Sequence, residues 1–302
     1  MGETGRLLVG CVAGLALSIF AALVPRRGCK GRGALAVALS AVTLPIPFAL
    51  HASPPWPSVV AVLLGVSFAR VCEIVRAPTR FGLVERGVRA GTIFETRLMR
   101  PTRSQFSLRA WLIAVALGTA GILVVVFAYQ LGPAAAPYSP SGWPRWVAGT
   151  AGGYLLFDGL MRAMVAVLLL FGWEHPPIQR APIRSRSLAE FWGLRWNRPV
   201  SLLLQRNLFD PLARRGAPRQ GILLAFVGSA LLHAYLVAPV AGLVPAAWMG
   251  AFFIAQGILA SVERELGVRH WRPIFGRAFV AGCFLATLPL FAEPLMRILR
   301  AR

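Results

Sequence analysis

Eight stretches of this 302-residue chain are apolar for about the length that crosses a bilayer's hydrocarbon core, roughly 20 residues. They run near 7–24, 34–50, 58–75, 110–131, 147–171, 222–244, 246–262 and 278–296. Inside lipid a helix satisfies its own backbone polar groups, whereas an open strand does not. The expected fold is therefore all-α, a polytopic transmembrane helical bundle of about eight spans forming a single integral membrane domain over 1–302. Composition agrees, with 57% hydrophobic and 14% charged residues, against the quarter or so that a soluble domain carries in charge. The first run follows Arg6 and ends in Pro25-Arg26-Arg27 without a small-residue cleavage site, so it is read as a retained helix rather than a cleaved leader.

Charge tests the count. Lys and Arg number 32 against 11 Asp and Glu, a formal net charge of +21, and Lys30 is the one lysine. In a soluble protein such an excess would suggest nucleic acid. Here the positive charges fall in alternate loops: Arg26, Arg27, Lys30 and Arg32 after the first span, then Arg76, Arg80, Arg86, Arg89, Arg97, Arg100 and Arg103 after the third. After the fifth come Arg180, Arg184, Arg186, Arg195, Arg198, Arg206, Arg214, Arg215 and Arg219, and after the seventh Arg264, Arg269, Arg272 and Arg277. Such alternation is the positive-inside pattern, which argues against a nucleic-acid partner and for membrane lipids around the chain. Arg297, Arg300 and Arg302 are the exception, since eight spans place them with the poorly charged loops.

Two of the basic loops, 76–109 and 172–221, also carry apolar and aromatic residues, among them Phe81, Phe94 and Phe106. Leu188, Phe191, Trp192, Trp196, Val200, Leu203 and Leu204 recur at near-helical spacing with arginines between them, which predicts amphipathic helices in the membrane interface, divided at Pro199. Cys11, Cys29, Cys72 and Cys283 are too scattered for a zinc site or a disulfide framework. No sequence feature sets an oligomeric state.

Ionisable groups inside apolar spans are costly and so mark functional candidates. His233 stands in the middle of the sixth span, and Asp158 and Arg162 lie four apart in the fifth, a spacing that suits an ion pair but that in a transporter or flippase would line the pathway. Arg70, Glu73, Glu263 and Glu265 lie near span ends and are read as boundary residues able to reach the interface.

Upstream of His233 the chain reads Ser187-Leu188-Ala189-Glu190-Phe191-Trp192-Gly193-Leu194-Arg195-Trp196-Asn197, followed by Leu208-Phe209-Asp210-Pro211 and then by Ser229 and His233. Phe252, Phe253, Gln256, Gly257 and Glu263 follow on the next apolar run. This region, 187–263, resembles the wax synthase-like branch of the membrane-bound O-acyltransferases. Ala230 departs from the glycine usual in that branch, and Ala234 stands where an acidic residue commonly follows the histidine. The second change takes away a carboxylate that could orient the imidazole.

The resemblance implies an acyl-CoA-dependent transfer to the hydroxyl of a lipophilic alcohol or secondary metabolite, with His233 and Asn197 as the catalytic pair. Neutral imidazole at His233 would take the hydroxyl proton as the alcohol attacks the thioester, and the Asn197 amide would polarise the carbonyl or hold the acceptor. Arg195, Trp196 and Ser229 flank the pair and become substrate-binding candidates. Arg198, Arg206, Arg214 and Arg215, with Arg195, are further candidates for the CoA phosphates. For Phe191, Trp192 and Trp196, packing and anchoring at headgroup level carry more weight than substrate contact. Because a thioester is already activated, no metal or resident cofactor is called for, acyl-CoA being a co-substrate. The Arg, Ala and Gly bias suggests a bacterial inner membrane, or the endoplasmic reticulum for a eukaryotic chain.

Overall fold

The computed structural model describes residues 2–25, 29–50, 52–76 and 81–300. Arg26, Arg27, Arg80 and Arg302 lie outside the described residues, as does the side chain of Lys30. The α-helices begin with α1 (Glu3–Leu23), α2 (Lys30–Ala41), α3 (Ile46–Ala49), α4 (Trp56–Arg76), α5 (Leu83–Ala90), α6 (Leu108–Gln130) and α7 (Trp143–Leu170). Then come α8 (Leu188–Glu190), α9 (Arg198–Leu204), α10 (Asp210–Ala213), α11 (Pro218–Ala241), α12 (Leu243–Leu266) and α13 (Pro273–Leu299). A two-residue ribbon, β1 (Arg100–Pro101) paired antiparallel with β2 (Trp173–Glu174), is the only sheet among the described residues.

Among the described residues, eight segments are long and apolar enough to cross a membrane: α1, Gly31–Ala49, α4, α6, Pro140–Leu170, α11, α12 and α13. The chain is thus an all-α polytopic membrane protein, as the apolar runs require. The second span is not one helix. It breaks between α2 and α3, where Pro45 and Pro47 bring rings without amide donors, and Thr43 bonds back to the Ser40 carbonyl at 2.7 Å.

The chain divides into two compact units. One comprises Met1–Thr96, Gly228–Gly250 and Ile298–Arg302, the other Arg97–Val227 and Ala251–Arg297. In the first, α4 is buried along most of its length. Val71 and Ile74 meet Ala21 and Ala22 of α1 and Ala36 of α2, while Val60 and Leu64 pack with Leu50 and Ile46. Near its end α4 carries Arg70 and Glu73 into a buried network. Arg70 reaches Glu73 at 3.2 Å and Glu95 at 3.1 Å, and Arg89 of α5 reaches the same two carboxylates at 3.0 Å each. Arg86 donates to the carbonyls of Phe81 and Pro25.

Arg70 and Glu73 are therefore not residues that stretch to the interface, and Arg86 and Arg89 are not free loop charges. Glu95, 25 residues beyond Arg70, gives the arginines a second carboxylate, and paired charges tolerate burial that single ones do not. The loop after α4 folds back as structure in its own right.

In the second unit α6 and α7 form a close helical hairpin. A Cβ at Gly121 would stand 2.4 Å from the Leu156 amide nitrogen and 2.8 Å from the Gly152 carbonyl oxygen, and one at Gly159 would stand 2.6 Å from the Gly118 nitrogen. Only glycine lets two membrane helices approach this closely, and the reward is backbone-to-backbone van der Waals contact. Elsewhere in the unit Glu293 of α13, fully buried, accepts from the Trp146 indole at 2.9 Å and faces Arg145 at 3.4 Å and Arg297 at 2.9 Å. Part of the misplaced positive charge at the C-terminal end is thereby compensated inside the protein.

Candidate functional site

The segment 187–198 is held from all sides by groups its own sequence supplies or that α12 brings. Ser187 caps α8, its hydroxyl accepting the Glu190 amide at 2.9 Å. Glu190 in turn accepts the Arg186 amide at 2.7 Å and the Arg195 Nε at 2.7 Å. Burial works against the Glu190 carboxylate, yet the Arg186 amide and the Arg195 guanidinium outweigh it and hold its pKa below the usual range. The remaining orphan amides at the start of this turn, Leu188 and Ala189, donate to the carboxylate of Glu263, the latter at 3.0 Å. Glu263 is thus a cap for another segment rather than a boundary residue.

After α8 the helix widens into a π turn over Phe191–Arg195, closed by the Trp196 amide donating to the Phe191 carbonyl at 2.8 Å. Such single turns carry one extra residue and recur at functional positions. Here the widening presents rings on two sides. Trp196 stacks on Phe191 with centroids 5.6 Å apart, and also on Phe157 at 5.5 Å and Tyr154 at 6.0 Å. Trp192 lies among Phe226, Phe253 and Phe284, and its indole donates to Gln256 at 3.1 Å. Gln256 passes the chain on to Thr287 at 2.9 Å. The three aromatic residues of the block pack against protein.

The helical stretch read over 188–204 is divided, though not at Pro199. It stops at Trp196, and Asn197 takes a left-handed conformation at φ 36° and ψ 60°, a region asparagine enters more readily than most residues. Pro199 then sits in the first turn of α9, where a missing amide breaks nothing. The division therefore precedes the proline instead of being caused by a clash within a helix.

The Asn197 amide nitrogen donates to Gln179 at 3.2 Å, and its side-chain amide takes no hydrogen-bond partner among the described residues. Arg195 is differently placed. Besides Glu190 it donates to the carbonyls of Arg180 at 2.9 Å and Ala181 at 3.4 Å, so its guanidinium ties the motif to the preceding chain. Trp196, the other flanking candidate, has its ring in the stack just described.

His233 lies in the other unit, on α11, one turn after Ser229. Its Nδ1 is 2.8 Å from the Ser229 carbonyl oxygen and 3.4 Å from the Ser229 hydroxyl. A carbonyl can only accept, so Nδ1 carries a proton and, in the neutral ring, the lone pair falls on Nε2. The orienting partner that Ala234 does not provide is thus a backbone carbonyl. Around it the helix is pinned by Tyr235, whose hydroxyl donates to the Leu44 carbonyl at 2.9 Å, and by Ser58, which donates to the Leu236 carbonyl at 2.8 Å. Ser229 and His233 are brought together, as are Arg195, Trp196 and Asn197. Asp158 and Arg162 close on each other at 2.9 Å, the ion pair their spacing predicts.

Glu263, Gln256, Gln179 and Tyr235 escaped the sequence reading as contributors. Each acts through a partner far along the chain, and only the family likeness around Gln256 and Glu263 marked that helix at all.

Comparison with known proteins agrees with the likeness read from 187–263. Residues 175–255, a stretch holding both Asn197 and His233, match the model of the membrane bound O-acyl transferase family. The chain is 30% identical over 154 residues to "Probable long-chain-alcohol O-fatty-acyltransferase 3" of Arabidopsis thaliana, covering 46% of this chain and 44% of that protein. To "Probable long-chain-alcohol O-fatty-acyltransferase 2" of the same plant it is 30% identical over 132 residues, 41% of this chain and 37% of the relative. To number 1 of that series it is 26% identical over 175 residues, 53% and 48% of the two chains. The chain thus spans less than half the length of these curated relatives.

Proposed function

We propose that this protein is a membrane-bound O-acyltransferase that moves a fatty acyl group from acyl-CoA to the hydroxyl of a long-chain or otherwise lipophilic alcohol. The observation that carries the reading is the family match over 175–255, which spans both candidate catalytic residues. The names of the curated relatives supply the acceptor class. The Arg, Ala and Gly bias of the chain favours the inner membrane of a bacterium.

In this reading His233 Nε2 takes the proton of the attacking alcohol, so that the oxygen forms the new ester bond as the thioester C–S bond breaks and CoA leaves as the thiol. Nδ1, hydrogen-bonded to the Ser229 carbonyl, supports the imidazolium formed in that step. Asn197, with its side-chain amide uncommitted among the described residues, donates to the developing oxyanion or holds the acceptor. The reaction needs no metal, because the thioester is already activated.

The test is purified protein in nanodiscs assayed for CoA release and ester formation against a panel of acyl-CoAs and alcohols, beside His233→Ala and Asn197→Ala at equal folded abundance. Ester formation by wild type and its loss in His233→Ala is the expected result. Unchanged turnover in His233→Ala would refute the assigned base.

A further inference from the structure

The second basic loop gathers like charges and leaves donors beside them without acceptors. Residues 178–180 run alongside 195–198, with the Arg180 amide donating to the Arg195 carbonyl at 2.9 Å and the Arg198 amide to the Ile178 carbonyl at 3.2 Å. The Asn197 amide donates to the Gln179 side chain between them. This pairing sets Arg180 against Arg195 and Arg198 against Ile178, two residues before Arg180, and α9 carries the chain on to Arg206 in the following π turn.

Neither Arg180 nor Arg198 has a carboxylate within ion-pair reach among the described residues. The Arg198 Nε is buried with no acceptor there, and so is Nε2 of Gln179, a side chain only 4% exposed whose oxygen is already taken by Asn197. Burial and the positive charges of Arg180 and Arg206 together lower the pKa of Arg198. Arg195, in contrast, is saturated by Glu190 and two carbonyls. Cations held close together beside unmet buried donors are poorly stable as they stand and become favourable once an anion fills the gap.

We propose that Arg180, Arg198 and Arg206, together with the Gln179 amide, form a binding site for a phosphate or diphosphate group. Naming that group as part of the CoA of the acyl donor rests on the acyl-transfer reading above. An anionic lipid headgroup is the other source of the same chemistry. Asn197 shares the segment, since its backbone amide is what orients Gln179. The handle of the donor and the candidate catalytic amide would then be set by one short stretch of chain. Of the loop arginines, Arg195 serves the loop itself.

The test uses the full chain in phosphatidylcholine nanodiscs, titrated with CoA, and in parallel its thermal stability with and without phosphatidylglycerol. Arg180→Gln and Arg198→Gln are compared with wild type, and Arg184→Gln, an exposed arginine outside the cluster, is the control. CoA affinity is expected to fall about tenfold in each cluster variant, the loss of one charge-assisted hydrogen bond or more, and to stay at the wild-type value in Arg184→Gln. Unchanged CoA affinity with loss of the phosphatidylglycerol response would uphold the site and make its phosphate a lipid's. Wild-type behaviour of both variants in both readouts, or a wild type that responds to neither probe, would overturn it. Because the Arg180 side chain is exposed, its variant remains informative even where Arg198→Gln folds poorly. Acyl transfer fails on a separate result: CoA binding through these arginines without ester formation from any alcohol would overturn that reading and leave the site standing.

Discussion

The Nδ1 of His233 lies 2.8 Å from the backbone carbonyl of Ser229, one turn back on the same helix. A side chain that orients a catalytic ring can be lost by mutation, whereas a backbone carbonyl cannot. The protonated nitrogen of this imidazole is therefore specified by the helix itself, and the residue after the histidine is relieved of that task.

It follows that Ser229→Ala keeps the Nδ1–H tautomer. The check is the pair of ring ¹⁵N shifts in histidine-labelled protein, with the His233 signals assigned by their absence in His233→Gln. A switch to the Nε2–H form in Ser229→Ala would show that the hydroxyl, 3.4 Å away, is the true partner. Under the proposed acyl transfer with His233 as base, His233→Gln is expected to lower ester formation by about 10²–10⁴, the usual contribution of a positioned general base.

Glu263 is the anchor of the motif segment. Its removal in Glu263→Ala leaves the Leu188 and Ala189 amides unmet, at about 1–3 kcal/mol for each buried donor. A fall in thermal stability in detergent is expected, with Glu263→Gln intermediate because it keeps one acceptor oxygen. Under the proposed acyl transfer, ester formation should fall with it, since the same turn leads to Asn197. A Glu263→Ala protein melting like wild type would remove Glu263 from this role.

Glu190 makes stability depend on pH with a definite sign. Its carboxyl is held below the ordinary range by the Arg186 amide and Arg195 against the opposing effect of burial. The contribution is thus fully present above the unfolded value, about 4.3, and is lost as pH falls through the lower folded value. Melting curves of wild type and Glu190→Gln should differ at pH 6 and converge only once pH has fallen through the lowered folded value. A gap that persists at acid pH would contradict the ion pair.

Two glycines of α6 separate packing from propensity. Gly121→Ala drives a Cβ into the backbone of α7 and should cost about 1–3 kcal/mol, as overpacking does. At Gly118 the added Cβ meets open space, so Gly118→Ala should be neutral or stabilise by up to about 1 kcal/mol through helix propensity. Equal melting temperatures for the two variants would refute the close approach.

How much of this was legible in the chain depended on the sequence distance between partners. Span number followed from apolar length alone, and the Asp158–Arg162 pair from helical spacing. His233 stood out because a histidine is rare in an apolar run, and Asn197 only because the block that ends in it resembles that of a known family. The sequence marks Arg70 and Glu73 as boundary residues and Arg89 as a loop charge, since nothing local tells Arg70 that Glu95 will fold back onto it. Over 188–204 the sequence puts the division at Pro199, because an apolar period cannot register the π turn and left-handed Asn197 that place it earlier. Glu263 looked like an interfacial acid, its two amide partners lying some 75 residues upstream.

Where α6 meets α7, main chain lies against main chain at Gly121, Gly152 and Gly159. The hairpin is specified by what is missing at 121, 152 and 159. Its outward residues, such as Leu112, Val115, Leu123 and Phe127, which stand exposed, carry no instruction about which helix to choose. Chains descended from this one can therefore exchange those apolar residues freely and drift far in sequence, while the pairing of the two helices is inherited through three positions that hold almost no atoms.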